Sequence, residues 1–171
     1  EGLIRAMHRA GEHFVDPANW ETNAAILARP EYCDASATLL LRAISDRLVL
    51  KQGEAARHYP DFMFQHREAA NFPWVSQSEW LYSQLVRWDG LEYDAGQANA
   101  AARVFRPDVY RSALRDMPGQ LPTSSSKVEG SLSQALEAHT HAGTMLMENN
   151  TFFDGISFDP DRLPEYIASQ K

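Results

Sequence analysis

Proline residues divide this chain into short helical segments and so limit the folds that it can adopt. The chain has nine prolines in 171 residues, and a proline fits the first turn of an α-helix but breaks its interior, because it lacks a backbone N–H. Pro17 and Pro107 therefore predict helix starts. Asp16 is the predicted N-cap of the first of these helices, which Pro30 ends near Arg29. We expect a mainly α-helical chain.

Capping residues and apolar periodicity predict further helices. A first helix is expected to reach about Phe14, and Asp34 is the predicted N-cap of a third helix. Ser76 and Glu79 have the spacing of a capping box, in which two side chains satisfy free backbone N–H groups, and they predict a helix to about Trp88. The other predicted helices cover residues 96–105, 107–117, 131–139 and a short terminal stretch from Pro160 to about Gln170.

The apolar positions of these helices predict which side chains are buried. Residues three or four positions apart lie on one face of a helix, and that face is expected to pack against the core. The predicted core contacts are Ile26 and Leu27, then Ala37, Leu40, Leu41 and Ile44, then Leu81, Leu85 and Trp88, and finally Val109, Tyr110, Ala113 and Leu114.

Several segments between the helices are expected to be extended or irregular. Residues 48–50 and 62–64 are short apolar runs that could be strands or connectors, because periodicity cannot decide at that length. Residues 120–130 contain Pro122 and four consecutive hydroxyl residues, which are typical of a solvated loop. Residues 144–147 are expected to be extended, and 152–155 to form a turn. The predicted fold class is therefore mainly α with a few short extended segments.

Length and charge limit the function classes that fit this chain. A chain of 171 residues is the size of one average domain, so 1–171 is expected to be a single domain or a fragment. Its 16 basic and 23 acidic residues give a net charge of −7, which argues against direct nucleic-acid binding. No apolar run approaches the roughly 18 residues of a membrane-spanning helix. The one cysteine, Cys33, cannot form an internal disulfide.

The start of the chain favours a piece of a longer protein. No initiator Met is present, and an apolar stripe at helical spacing begins at once with Leu3, Ile4 and Met7. A natural amino terminus usually frays through polar residues before its first packed element. We therefore expect a fragment, with the possibility that part of any binding site lies in the missing portion.

Sequence motifs give no support for catalysis. The chain contains no nucleophile elbow, phosphate-binding loop, dinucleotide-binding glycine pattern or zinc-protease motif. His139 and His141 could face one side of an extended segment and bind a metal, but no third ligand is evident nearby. His8 and His13 lie five residues apart on the first helix, a poor separation for chelation. We predict a non-enzymatic protein with no cofactor and no metal site.

Three basic residues are candidates for binding a small anion. Arg67 and Arg87 flank an aromatic cluster of Phe72, Trp74, Trp80, Tyr82 and Trp88, and a guanidinium beside indole rings would suit a planar anion. Lys127 lies among hydroxyl residues that could donate to the same kind of ligand. The alternatives are surface ion pairs of Arg67 with Glu68 and of Arg87 with Asp89, an aromatic core, and a merely solvated loop at Lys127.

Several segments taken together resemble a known family. The resemblance is to the C-terminal portion of nitrate-binding proteins, the solute receptors of bacterial ABC transporters for nitrate, nitrite, bicarbonate and related ions. Two further segments resemble the subgroup that includes cytosolic nitrate sensors. The first set is Asp16-Pro17-Ala18-Asn19, residues 71–76 with Trp80-Leu81 and Arg87-Trp88, and residues 152–155 with Phe158-Asp159-Pro160; the second is residues 106–111 and 126–130.

This resemblance implies the helical C-terminal part of a type II periplasmic-binding-protein-like α/β fold. It also implies that the ligand contacts of the family, a lysine, a glutamine, a histidine and a tryptophan among them, come mainly from sequence that precedes this portion. Arg67, Arg87 and Lys127 are thus only weak candidates. The implied partners are a small inorganic anion bound by the full-length protein and an ABC permease.

Three functional hypotheses follow from the resemblance, and the third is a helical appendage fused to a transporter ATPase, because family members carry such copies. In the first, the parent protein is a periplasmic or otherwise extracytoplasmic receptor that closes on nitrate or a related anion and delivers it to a permease. In the second, the parent is a cytoplasmic nitrate sensor that acts on a regulatory protein partner when the anion binds. A leader peptide or a lipidation cysteine on the gene product would favour the first hypothesis.

Overall fold

The computed structural model describes residues 1–60, 62, 63, 65–117 and 119–170. Short helices dominate the described residues, as predicted, and two small β-hairpins accompany them. The α-helices are α1 (Gly2–Val15), α2 (Trp20–Leu27), α3 (Ala37–Ile44), α4 (Val75–Trp88), α5 (Ala95–Ala102), α6 (Pro107–Leu114) and α7 (Leu163–Ser169). The strands are β1 (Arg47–Leu48), β2 (Arg57–His58), β3 (Leu136–Thr140) and β4 (Gly143–Met147).

The chain divides into two compact units. The larger unit contains Glu1–Ile4 and Phe72–Lys171, and the smaller unit contains Arg5–Asn71. Most of α1 therefore belongs to the smaller unit, together with α2, α3 and the first hairpin. The expectation of a single domain over residues 1–171 stays a prediction.

In the smaller unit, the predicted start and end of the second helical segment are confirmed. Asp16 caps a 3₁₀ turn, Pro17–Asn19, by accepting a 2.9 Å hydrogen bond from the backbone N–H of Ala18. The turn leads into α2, which ends at Leu27, ahead of Pro30. The predicted core contact of Ile26 is wrong, because Asn23 and Ala24 are the buried residues of α2.

The predicted cap of the third helix is wrong. Ser36 occupies the N-cap position of α3, and Asp34 lies two residues earlier with a left-handed backbone (φ 46°). The predicted apolar face is correct at Ile44, which is buried. The ambiguous run at 48–50 contributes to a strand, since Leu48 of β1 pairs with Arg57 of β2 in antiparallel register. Phe64, in the other ambiguous run, lies outside the described residues.

The core of the larger unit is built on one face of α4. This face packs against α5, α7 and the segment before α7, and the cluster comprises Tyr82, Val86, Ala98, Phe158, Leu163, Tyr166 and Ile167. The face predicted from the sequence is wrong. Leu81 and Leu85 are each 49% exposed and Trp88 is 70% exposed. Tyr82 and Val86 are four residues apart and also share a face of the helix. Both faces therefore have helical apolar spacing, and tertiary packing buries the one that carries Tyr82 and Val86.

The predicted capping box of α4 does not form as such. Trp74 occupies the N-cap position, so Ser76 lies inside the helix, and its hydroxyl donates to Glu129 instead of accepting from the helix backbone. The N–H of Val75, at the first position of the helix, donates to the carbonyl of Ser125 at 2.9 Å. A distant loop thus supplies a hydrogen-bond partner at the start of α4, where the sequence predicted that local side chains would act.

The helix predicted over 131–139 is also wrong, because its second half forms β3. This strand pairs with β4 in antiparallel register, with Leu136 opposite Met147 and Thr140 opposite Gly143. The neighbouring strand satisfies the backbone groups that a helix would have satisfied internally. The extended prediction for 144–147 is confirmed by β4.

Other local predictions in the larger unit are confirmed. Pro107 begins α6, which buries Ala113 and Leu114. The predicted burial of Val109 is wrong, because 37% of its surface is exposed. The helix ends at Leu114, and Pro118, the predicted stop, lies outside the described residues. The turn at 152–155 closes with a 2.9 Å hydrogen bond from the N–H of Gly155 to the carbonyl of Phe152. None of the helices in the described part of the chain is both long and apolar enough to cross a bilayer.

Candidate functional site

The loop between α6 and β3 is held in place by one arginine. The Arg111 guanidinium on α6 donates to the carbonyl of Pro122 at 2.9 Å, to the hydroxyl of Ser125 at 2.9 Å and to the carbonyl of Thr123 at 3.1 Å. It also donates to the carbonyl of Ser124. Burial lowers the pKa of Arg111 from its ordinary value, and nearby Asp108 opposes this shift. Because its hydrogen bonds reach several consecutive loop residues, the guanidinium fixes the loop directly.

The other end of this loop is pinned by a buried carboxylate. Glu129 accepts a 2.7 Å hydrogen bond from the hydroxyl of Ser76 and forms an ion pair with the ammonium of Lys127. Its backbone exchanges two 2.9 Å hydrogen bonds with Phe158. The prediction of a merely solvated loop is wrong for this segment, because Pro122, Glu129 and Gly130 are all buried.

Aromatic rings lie under the two cations of this loop region. The ammonium of Lys127 is 5.4 Å from the ring centre of Trp74, and the Arg111 guanidinium carbon is 4.9 Å from that of Phe72. Phe72 packs edge-on against both Trp74 and Tyr110. Burial raises the pKa of the Tyr110 phenol. These ring contacts are within the range of cation–π interactions and hold both cations against the core.

A cavity of about 400 Å³ opens beside this loop. Trp74, Lys127 and His139 line it together with apolar side chains, among them Leu132, Leu136 and Met147. The ammonium of Lys127, a cation on its wall, already has Glu129 as a counter-ion. The cavity is therefore suited to an apolar or neutral group rather than to a small inorganic anion.

The three candidate anion-binding residues lie on different elements of the chain, and each is described with its own surroundings. Arg67 belongs to the smaller unit, at the start of a 3₁₀ turn, Arg67–Ala69. Arg87 is exposed on α4, with its guanidinium 5.9 Å from the ring centre of Trp88. Lys127 is paired with Glu129. The aromatic cluster is likewise divided, since Phe72, Trp74 and Tyr82 are buried whereas Trp88 is exposed.

Sequence reasoning missed two features of the molecule. Arg111 makes the most extensive side-chain contacts of the loop region, yet nothing in its spacing distinguishes it from other surface arginines. His8, Glu12 and His66 come together in the smaller unit, as the only such group of three among the described residues with ligand atoms close enough for one metal ion. The four-residue separation of His8 and Glu12 on α1 was the available signal.

The chain is similar in sequence and in structure to known nitrate-binding proteins. No protein-family model matches the chain. The chain is 24% identical over 169 residues, 99% of its length, to the nitrate/nitrite binding protein NrtA of Synechococcus elongatus. It is 20% identical over its whole length to the NrtA of Nostoc sp.. Its structure matches the crystal structure of the periplasmic nitrate-binding protein NrtA from Synechocystis PCC 6803, with a TM-score of 0.74 and 22% identity over 99% of this chain.

The resemblance to nitrate-binding proteins is confirmed. The solved NrtA shows that this chain has the fold of a corresponding region of that protein. The chain spans about a third of the two NrtA sequences, 34% and 35%, and 40% of the solved NrtA chain. The chain is also similar to the nitrate import ATP-binding protein NrtC of Synechococcus elongatus, with 25% identity. This match covers 96% of the chain and 21% of NrtC.

Proposed function

We propose that this chain is the C-terminal region of an ABC transporter solute-binding protein that captures nitrate or a related small anion. The observation that carries the proposal is the match over nearly the whole chain, in sequence and in structure, to proteins named as nitrate-binding. The parent would be a two-lobed, type II periplasmic-binding-like receptor located outside the cytoplasm. It would close on the anion and deliver it to a permease. The role is non-enzymatic.

The geometry of the larger unit supports a structural rather than a ligand-binding role for this region. The ammonium of Lys127 is paired with Glu129, and the guanidinium of Arg111 donates to loop carbonyls and to the hydroxyl of Ser125. Both cations are therefore already engaged by groups of this chain, and the loop contacts account for their positions. We infer that the anion-binding residues of the parent lie mainly outside this chain, and that these helices support the lobe that carries them.

Calorimetric titration with nitrate tests this proposal. The gene product, expressed from its natural start codon, should bind nitrate, nitrite or bicarbonate with a dissociation constant of about 1 µM or a similar order. The 171-residue chain alone should show no such site. A gene product that binds none of these anions would remove the proposal. A tight site in the isolated chain would instead return Arg67, Arg87 and Lys127 to consideration, to be tested by substitution.

A second candidate function is supported by the sequence match to an ATP-binding protein. The match to NrtC, named as a nitrate import ATP-binding protein, covers almost all of this chain. The chain could therefore be a region attached to the ATP-binding component of such an importer. ATP binding by the gene product would favour this candidate over a free receptor. The cytoplasmic sensor and its regulatory partner stay predictions, and a leader peptide on the gene product would contradict them.

A further inference from the structure

A buried histidine of the smaller unit makes no side-chain hydrogen bond to any residue that the structure describes. His8 lies on α1 with only 7% of its surface exposed. Neither of its ring nitrogens has a hydrogen-bond partner among the residues that the structure describes. A buried polar side chain without a partner is unusual, because its desolvation is not compensated, and a bound ion is one physical explanation.

Two further metal-ligating side chains lie beside this histidine. Glu12 is one helical turn along α1, with its Oε1 3.6 Å from the Nε2 of His8, which is too long for a hydrogen bond. The ring of His66 is centred 4.9 Å from the ring of His8 and tilted by 59°. One nitrogen or oxygen from each of the three side chains lies within 4.8 Å of the others. The three groups thus converge on one point, although the ring nitrogens of His8 make no hydrogen bond within the described part of the chain.

A glycine on α1 permits this convergence. A Cβ on Gly11 would lie 2.8 Å from the Nδ2 of Asn71 and 3.3 Å from the Nδ1 of His66. The absence of a side chain therefore lets the segment 66–71 approach the helix. His66 itself has a left-handed backbone, with φ 64°, a conformation that is uncommon for a residue other than glycine. The fold holds this imidazole against α1 at some conformational cost.

We propose that His8, Glu12 and His66 bind one divalent transition-metal ion, with Zn²⁺ as the best match, and that the ion fastens the 66–71 segment to α1. Two imidazoles and one carboxylate form a ligand set that Zn²⁺ accepts, with a fourth position left for water. This assignment differs from the sequence-based expectation of no metal site. It is independent of the proposed anion-binding function.

The side chains can reach the geometry that the ion requires. Ligand atoms around a tetrahedral Zn²⁺ lie roughly 3.3 Å apart, given metal–ligand distances of about 2.0–2.1 Å. Glu12 is exposed and His66 is half-buried, so rotation of these two side chains would close the remaining distance to His8.

Direct metal titration tests the proposal. The 171-residue chain, prepared without an affinity tag, is titrated with Zn²⁺ in competition with a chromophoric chelator, and separately with Co²⁺ while visible absorption is recorded. We expect one ion per chain, with a dissociation constant for Zn²⁺ of about 10 µM or tighter. We also expect Co²⁺ bands of four-coordinate intensity. The absence of stoichiometric binding of either ion would overturn the proposal.

Variants locate the ion. Glu12→Gln and His66→Gln each alter a residue that is not fully buried, and each should weaken Zn²⁺ binding at least about tenfold. His13→Gln is the matched control, because His13 is an exposed histidine of the same helix, and it should leave the affinity unchanged. Circular dichroism of each variant establishes that it is folded.

Two results with the variants would overturn the proposed metal site. Unchanged Zn²⁺ affinity in both Glu12→Gln and His66→Gln would overturn it, as would loss of binding in a His139→Gln/His141→Gln variant. A thermal readout gives an independent check, since Zn²⁺ should raise the Tm of the unaltered chain. The same addition should leave the Tm of Glu12→Gln unchanged. An equal rise in both proteins would contradict the proposal.

Discussion

The hydroxyl of Ser76 donates a 2.7 Å hydrogen bond to Glu129, a residue 53 positions later in the chain. The backbone N–H of Lys127 donates in turn to the Ser76 oxygen at 3.2 Å. One hydroxyl in the first turn of α4 therefore connects this helix with the end of the loop that Arg111 holds at its other side. Since Glu129 also pairs with Lys127, removal of its charge is expected to affect the whole loop.

Substitution of the buried carboxylate tests this connection. Glu129→Gln leaves the ammonium of Lys127 partly buried without its counter-ion, so we expect a loss of about 1–3 kcal/mol in the free energy of unfolding. Urea unfolding followed by tryptophan fluorescence measures it. Glu137→Gln, at an exposed position of β3, is the control and should change stability by less than about 0.5 kcal/mol. Equal effects of the two variants would show that the buried pair contributes nothing specific.

The contacts of Arg111 give a second prediction. Arg111→Lys keeps the positive charge but loses the planar fork that reaches the carbonyls of Pro122 and Thr123 and the hydroxyl of Ser125. We expect a loss of about 2 kcal/mol in stability and faster amide hydrogen exchange in residues 121–127. Arg115→Lys, at the exposed end of the same helix, should change neither. Unaltered exchange in Arg111→Lys would mean that backbone contacts alone order the loop.

Two glycines with nearly equal φ angles separate the effect of backbone strain from that of crowding by a neighbouring side chain. Gly130 has φ +72° and a Cβ there would lie 2.9 Å from the ring of Phe152, whereas Gly155 has φ +71° with nothing within 4 Å. Both alanine variants incur left-handed strain of about 1 kcal/mol. Gly130→Ala adds a clash with a half-buried ring and should lose about 1–3 kcal/mol more in urea unfolding. Identical losses would show that Phe152 moves aside freely.

The pKa of Glu79 predicts a pH effect on stability. Burial, and then the neighbouring Asp161 carboxylate, raise the pKa of Glu79 above its ordinary value of 4.5. The folded chain therefore holds this proton more tightly than the unfolded chain. The stabilisation that it brings is fully present below pH 4.5 and is lost as the pH rises through the folded pKa.

Glu79→Gln checks this sign. At pH 7 the variant should have a higher urea midpoint than the unaltered chain, because it does not bury a charge beside Asp161, and the difference should disappear near pH 4. Glu165→Gln, at an exposed position of α7, serves as the control with no such pH dependence. A variant that is less stable than the unaltered chain at pH 7 would contradict the prediction.

Helix starts that depend on neighbouring residues could be predicted from the amino-acid sequence. Asp16 caps the turn that starts at Pro17, and Pro107 begins α6, because a proline or a capping carboxylate acts on backbone groups within a few residues of itself. The mainly helical fold class and the resemblance to nitrate-binding proteins were readable for the same reason. Each depends on residue types in a fixed order along the chain.

The buried faces and the hydrogen-bond partners of these elements depend on tertiary packing and could not be predicted in the same way. The exposed side of α4 carries Leu81 and Trp88, Ser76 serves Glu129 rather than its own helix, and the segment before Thr140 pairs with β4 instead of continuing as a helix. The convergence of His8 and His66 is of the same kind, since 57 intervening residues must first fold. Such contacts join positions far apart in the chain, and no local propensity specifies which distant group will be their partner.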